Sequence, residues 1–235
     1  INLHQWHGSV DLVHSDFREF VNALNDRGIS SIDGALADLG VSTMQLDGSG
    51  RGFSFRRDEP LDMRMDRSGG LTAAEMLSAV SESDLADVIY QFGEDRHARR
   101  IARLLVATRD HTHVETTGQL AELVRRAVPY RGYQRIDPAT RTFQALRIWV
   151  NRELDALDEW LLAVCRRLKA GARFAVLTFH SLEDRVVKHT FRSLERNGDI
   201  KIRIVTKKPL RPSVEEVSQN PRARSAKLRV AERVS

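Results

Sequence analysis

Apolar positions follow two different periods along this chain, and the changes between them divide it. VDLVHSDF (10–17) followed by REFVNALNDRG reads as a strand leading into an amphipathic helix that Gly28 stops. IDGALADLG (32–40) is a second strand, apolar enough to be interior. From about residue 70 to 130 the period is helical throughout, in LTAAEMLSAVS, SDLADVIYQF with Ser83 or Asp84 as N-cap, DRHARRIARLLVATRD and TTGQLAELVRRAV. Pro129 and Gly132 interrupt that pattern. A helix restarts near Pro138 and runs through FQALRIWVNRELDALDEWLLAVCRRL, long enough to need a break near Asn151. ARFAVLTF (172–179) is a buried strand, His180 to Asp184 opens a further helix, and IKIRIVTKK and SAKLRVAER (225–233) are strands.

This order predicts an α/β fold with a mostly parallel sheet and an inserted all-helical domain. The expected limits are a first sheet segment over 1–68, the helical insertion over 69–147, and a second sheet segment with a basic end over 148–235.

The most informative stretch is IDGALADLGVSTMQLDGSGRGFSFRRDEPLDMRMD (32–66). Its strand ends on Asp38-Leu39-Gly40, and ligands of open α/β sheets bind at the carboxyl ends of strands. The loop that follows exceeds twenty residues, whereas structural connections usually take about 2 to 6. It carries Arg51, Arg56, Arg57 and Arg64 among Asp58, Asp62 and Asp66. Gly48, Gly50 and Gly52 lack the flanking strand and helix of a dinucleotide fingerprint, so they are read as a loop that lets backbone approach a ligand. A true glycine-rich cofactor turn would lie before Ile1. The chain opens on Ile1 rather than Met, as a segment of a longer protein would, and its start has no signal-peptide pattern.

At 235 residues, 41% hydrophobic and 29% charged, the composition is that of an ordinary globular protein, with no apolar run that would span a membrane. Cys165 lies in an apolar-periodic run and reads as a core thiol in a reducing, cytoplasmic setting. The formal charge of +5 is unevenly placed: Lys201–Ser235 holds ten Lys or Arg against three Glu, a local +7 that leaves −2 for the rest. KKPLRP and NPRARSAKLR therefore read as surface for nucleic-acid phosphates.

The histidines show no zinc spacing. His180 and Ser181 lack a nucleophile elbow and are placed at a strand end and helix start, where they would hold a polar substrate or phosphate. Phe143, Leu146 and Trp149 keep helical spacing and are assigned to the core.

DLGVSTMQLDGSGRGFSFRRDEPLDMRMD, GEDRHARRIA, DPATRTFQALRIWVNREL, TFHSLEDRVVK and NPRARSAKLR, in this order, closely resemble the ribosomal RNA small-subunit methyltransferase H family, also called the MraW family. The resemblance covers essentially the whole chain. It implies a class I S-adenosylmethionine-dependent methyltransferase, Rossmann-like with a helical insertion. The implied reaction is methyl transfer to N4 of a decoding-centre cytidine in 16S rRNA of the small ribosomal subunit. By the same resemblance Phe17, Asp38 and Gln45 are cofactor-binding, and Phe17 packs on the adenosine. Asp38, His180 and Ser181 are the candidates for catalysis. Arg51, Arg56, Arg64, Arg141, Arg222, Arg224, Lys227 and Arg229 are those for RNA binding. Two features of the family pattern differ here: its glycine-rich cofactor loop would precede Ile1, and Asp137 stands where the family often has His. The first leaves a non-catalytic RNA-binding fragment as the alternative function. A homodimer stays open, and no membrane partner is expected.

Overall fold

A computed structural model of the chain describes residues 10–41, 50–129 and 136–235. In chain order the described elements begin with a 3₁₀ turn (Phe17–Glu19), α1 (Phe20–Asn25) and β1 (Ile32–Asp38). Five helices follow: α2 (Ala73–Ala79), α3 (Glu82–Gly93), α4 (Ala98–Arg109), α5 (Thr117–Ala127) and α6 (Ala139–Asn151). The chain then forms α7 (Leu157–Arg167), β2 (Leu168–Thr178), α8 (Ser181–Asn197) and β3 (Ile202–Ile204), and ends with α9 (Val214–Gln219), a 3₁₀ turn (Pro221–Ser225) and β4 (Lys227–Arg233). They form two compact units, Ile1–Gly40 with Asp155–Ser235, and Val41–Leu154.

The first unit is an α/β sheet of order β1-β2-β4-β3. β1 and β2 pair in parallel, and β4 runs antiparallel to both of its neighbours. Three of the four strands thus share one direction and β4 opposes them. β2 is central: Phe174 and Val176 are buried, as the apolar run required. β1 departs from the expected interior strand, because it forms the edge of the described sheet and leaves Leu36 75% exposed.

The VDLVHSDF stretch also departs from expectation. Among the described residues it forms no strand, and Val10, Leu12 and Val13 are exposed. Alternation alone does not make a strand; a ladder partner must satisfy its backbone groups.

Trp160 on α7 organises the packing on one face of this sheet. Its ring meets Phe17 at 5.3 Å, Phe20 at 6.5 Å and Phe174 at 5.8 Å, all edge-on, and Phe174 meets Phe191 of α8 at 5.9 Å. Such pairs add about 0.5–1.5 kcal/mol each beyond the area they bury. Cys165 is buried among these helices, and loss of solvent pushes its thiol up to about 12, so it stays an unreactive core group.

The second unit is the helical block. Leu85, Ile89, Ile101, Leu120 and Leu146 are fully buried, and Phe143 and Trp149 join the core as their spacing predicted. Gly93 permits the closest approach of α3 and α6, since a Cβ there would stand 2.7 Å from the Arg141 carbonyl oxygen. Thr72 with Glu75 and Thr116 with Gln119 form capping boxes that start α2 and α5. The N-cap of α3 is Ser81 rather than Ser83 or Asp84; its Oγ accepts from Asp84 N at 3.1 Å.

The predicted helix break near Asn151 is present as left-handed residues at Arg152 and Ala156. The unit limits fall at 40/41 and 154/155, against the expected 68/69 and 147/148. The reason is packing: Phe53, Leu61 and Met63 of the long loop are buried in the helical core. No helix among the described residues is long and apolar enough to cross a membrane.

Candidate active site

The carboxyl ends of β1 and β2 lie side by side, with Asp38 in register with Leu177 and Leu39 N donating to the Leu177 carbonyl at 3.1 Å. Asp38 is exposed there and has no hydrogen-bond or ion-pair partner among the described residues. Gly40 turns the chain with φ 97°, and a Cβ on it would sit 3.5 Å from the Phe179 ring and 3.9 Å from Glu183 Oε1. The Asp38-Leu39-Gly40 turn is thus packed against the strand-to-helix turn that follows β2.

That second turn is held by Glu183. Its Oε2 accepts from the backbone N–H of Phe179 at 2.9 Å and of His180 at 3.3 Å. In return His180 Nδ1 accepts from Glu183 N at 3.4 Å, a capping box in which an imidazole replaces the usual hydroxyl. His180 Nε2 lies 3.0 Å from Glu183 Oε1 but is not aligned for a hydrogen bond. The His180 side chain is 6% exposed and that of Glu183 2%. His180 is therefore fixed by its own helix rather than presented to solvent, and Ser181 is half-buried in the first turn of α8. Glu183, which the sequence reading does not include among the site residues, is the one that holds this turn. The spacing of His180 and Glu183 is that of a capping box, the signal that could have found it.

Next to it, Asp184 binds the end of β4. Arg229 Nε donates to Oδ1 at 2.7 Å and Nη2 to Oδ2 at 3.2 Å, while Lys227 Nζ donates to Oδ2 at 3.1 Å. Burial pushes the Asp184 carboxyl up, but the bonds from Arg229 and Lys227 outweigh it and hold it below the ordinary carboxylate range. Arg229 is buried. Both cations expected to meet RNA are thus engaged inside the protein. Arg222 and Arg224 are exposed, on the 3₁₀ turn that precedes β4.

The Arg-rich loop belongs to the helical unit and is tightly held. Asp62 accepts from Arg64 Nε at 2.7 Å and Arg67 Nε at 2.9 Å. Burial raises its pKa, and those two arginines more than compensate, leaving it lowered. Arg51 donates to the carbonyls of Arg64 and Met65, with its guanidinium 5.6 Å over the Phe53 ring. Asn151 closes the segment, donating to Met63 O at 2.8 Å and accepting from Met65 N at 2.7 Å.

Arg51 and Arg64 therefore shape the loop, while Arg56 and Arg57 are exposed. Arg141 is also exposed and donates to the Glu94 carbonyl at 3.3 Å. Asp137 pairs with Arg125 at 2.8 Å and accepts from Ala139 N at 2.9 Å, which starts α6. Gly52, read from sequence as leaving room for a ligand, instead faces the chain itself: a Cβ would stand 2.5 Å from Pro60 O.

Phe17 is half-buried, edge-on to Trp160, with the Arg18 guanidinium 5.7 Å from its ring centre. Gln45 and Gly48 lie outside the described residues.

The sequence model of the MraW methylase family matches residues 1–234. A protein of Cyanothece sp. named ribosomal RNA small subunit methyltransferase H is 52% identical over 225 residues, covering 96% of this chain and 72% of that relative. Proteins of the same name from Trichlorobacter lovleyi and Neorickettsia sennetsu are each 48% identical, covering 94% and 95% of this chain and 75% and 77% of their own lengths. The match of the family model over nearly the whole chain, with these relatives and an α/β sheet, places the chain in the MraW methylase family of class I S-adenosylmethionine-dependent methyltransferases.

Proposed function

We propose that this protein transfers a methyl group from S-adenosylmethionine to N4 of a decoding-centre cytidine in 16S rRNA, on the small ribosomal subunit. The observation that carries the reading is the exposed Asp38 carboxylate at the end of β1, without a partner among the described residues and next to the locked Phe179–Glu183 turn. The names of the relatives agree with an rRNA substrate.

The described residues fit the cofactor. S-adenosylmethionine is cationic at its sulfonium and ammonium, and a solvent-open carboxylate at a strand end is an appropriate partner for it. Asp38 would hold the cofactor and Phe17 would pack on its adenosine, while Gln45, which the resemblance names with them, lies outside the described residues. When bound, the cofactor supplies the electrophilic methyl group and the sulfur leaving group.

The protein supplies alignment and a place for the proton. Cytosine N4 is a weak nucleophile because its lone pair is delocalised into the ring. A hydrogen bond from N4–H to the Asp38 carboxylate, or to the Leu39 or Gly40 carbonyl, localises that pair, and of these groups the carboxylate receives the proton released on transfer. Alignment of reacting atoms is worth up to about 7–11 kcal/mol in favourable cases. Glu183 and His180 act as positioning residues: they fix the turn against which Gly40 packs. Ser181 contributes a hydroxyl at the start of α8. The target base leaves its stack to reach this point, and Arg222 and Arg224 of the same unit contact the surrounding phosphates; Arg56 and Arg141, exposed on the helical unit, offer further contacts to the RNA backbone. Arg51, Arg64, Lys227 and Arg229 serve indirectly by holding the segments that carry those contacts.

The test is transfer of labelled methyl from S-adenosylmethionine to small subunits lacking the modification, catalysed by the full-length protein, with the product digested to nucleosides. Label in N4-methylcytidine is the expected result. Label in another nucleoside, or in protein, would overturn the substrate assignment, and no transfer would favour a non-catalytic RNA-binding role.

A further inference from the structure

We infer that the outer face of α8, with the chain that follows β3, forms a second RNA-backbone site, separate from the arginines assigned above. Lys188, Arg192 and Arg196 recur every fourth residue along α8, so they form one stripe with successive cations about 6 Å apart along the axis. Lys207 faces the same groove, which has a volume of about 340 Å³ and is also lined by Phe191, Glu195 and Thr206. The Glu195 carboxylate accepts from Ile204 N at 2.8 Å and so is occupied by the strand beside it. None of the four cations has an ion-pair partner among the described residues, although the neighbouring Arg229 is fully engaged with Asp184.

The groove is also fixed in shape. Val205 N and Thr206 N donate to Val230 O at 2.9 and 3.3 Å, and Thr206 Oγ1 accepts from Val230 N at 2.8 Å. The segment bearing Lys207 is thereby clamped to β4, while Phe191 roots α8 in the core. Three regularly spaced cations with Lys207 beside them, outnumbering the one Glu195 carboxylate in the groove, repel one another on rigid elements unless a polyanion meets them. A row of this spacing suits the repeating phosphates of a nucleic-acid strand better than a single compact anion, which would engage one or two members. The occupant is the phosphodiester backbone of the rRNA substrate, an assignment that rests on the function proposed above.

The experiment compares the full chain with the variant Lys188→Gln, Arg192→Gln, Arg196→Gln, Lys207→Gln, measuring affinity for small-subunit rRNA across a salt series. Each lost phosphate contact lowers the slope of log affinity against log salt by about 0.7 for single strands, so the variant slope should be shallower by about 3. The single variant Arg192→Gln should lower it by about 0.7, which keeps the idea testable if the quadruple variant folds poorly. Unchanged slopes in both, with wild type binding normally, would overturn the groove alone. Absence of salt-dependent RNA binding by wild type would overturn the function proposed above along with it. Loss of binding to vesicles of anionic phospholipid, with RNA affinity intact, would reassign the groove to a membrane surface and also overturn the inference.

Discussion

Asp184 on α8 and Arg229 on β4 form a two-point pair, at 2.7 and 3.2 Å, between side chains that are 13% and 9% exposed. This pair ties the helix that starts at the candidate active site to the antiparallel strand of the sheet. Removing only the carboxylate leaves a guanidinium buried without its counter-charge. Asp184→Ala should therefore cost about 3 kcal/mol, near the lower end for breaking a buried pair. Urea unfolding followed by tryptophan fluorescence will read this, since Trp160 lies in the same unit. Asp184→Ala with Arg229→Met should be more stable than Asp184→Ala alone. If it is less stable, the charge pair is not what the single variant lost.

Asp184 and Asp62 both have folded-state pKa values held below the ordinary carboxylate range. A lowered folded pKa contributes stability that is fully present above the unfolded value of about 3.9 and disappears as pH falls through the folded one. Stability should thus drop below about pH 4, and less steeply in Asp184→Ala than in wild type. Acid titration of the unfolding free energy at constant ionic strength checks the sign.

Gly52 has φ 71°, and an added Cβ would stand 2.5 Å from Pro60 O and 2.8 Å from Asp62 N. Both opposing atoms are backbone and cannot move aside. Gly52→Ala should destabilise the helical unit by about 2 kcal/mol or more, from strained backbone and steric conflict together. Gly50→Ala, at φ 70° but with no atom of the described residues within 4 Å of the new Cβ, should cost less. Thermal melting of the two variants distinguishes crowding from backbone strain.

Asp38 is exposed and makes no hydrogen bond or ion pair among the described residues, so its replacement should not disturb folding. Asp38→Asn should lower methyl transfer by about 10²- to 10⁴-fold, the range for loss of a proton-accepting group, with melting unchanged. Full turnover in this variant would remove Asp38 from the chemistry and leave the Leu39 and Gly40 carbonyls as hydrogen-bond acceptors for N4–H, with the proton passing to water.

The sequence by itself determined the elements whose signals are local. Helical periodicity placed α2 to α6, the 172–179 apolar run placed β2, and the break after Asn151 followed from helix length. It also placed Asp38 at the end of β1, because strand pattern and turn residues are short-range properties.

Partnership across long stretches of chain was decided only by the tertiary structure. VDLVHSDF has the alternation of a strand but no ladder. Arg51, Arg64, Lys227 and Arg229 have the composition of a phosphate-binding surface, yet the fold brings each to an internal acceptor: two backbone carbonyls for Arg51, and Asp62 or Asp184 for the others. A charge read along the chain has no direction, and whether it faces an acceptor inside the protein or the solvent depends on residues tens of positions away. The same holds for the stripe on α8, where the helical spacing of Lys188, Arg192 and Arg196 was written in the sequence but Lys207 joins them only because β3 pairs with β4.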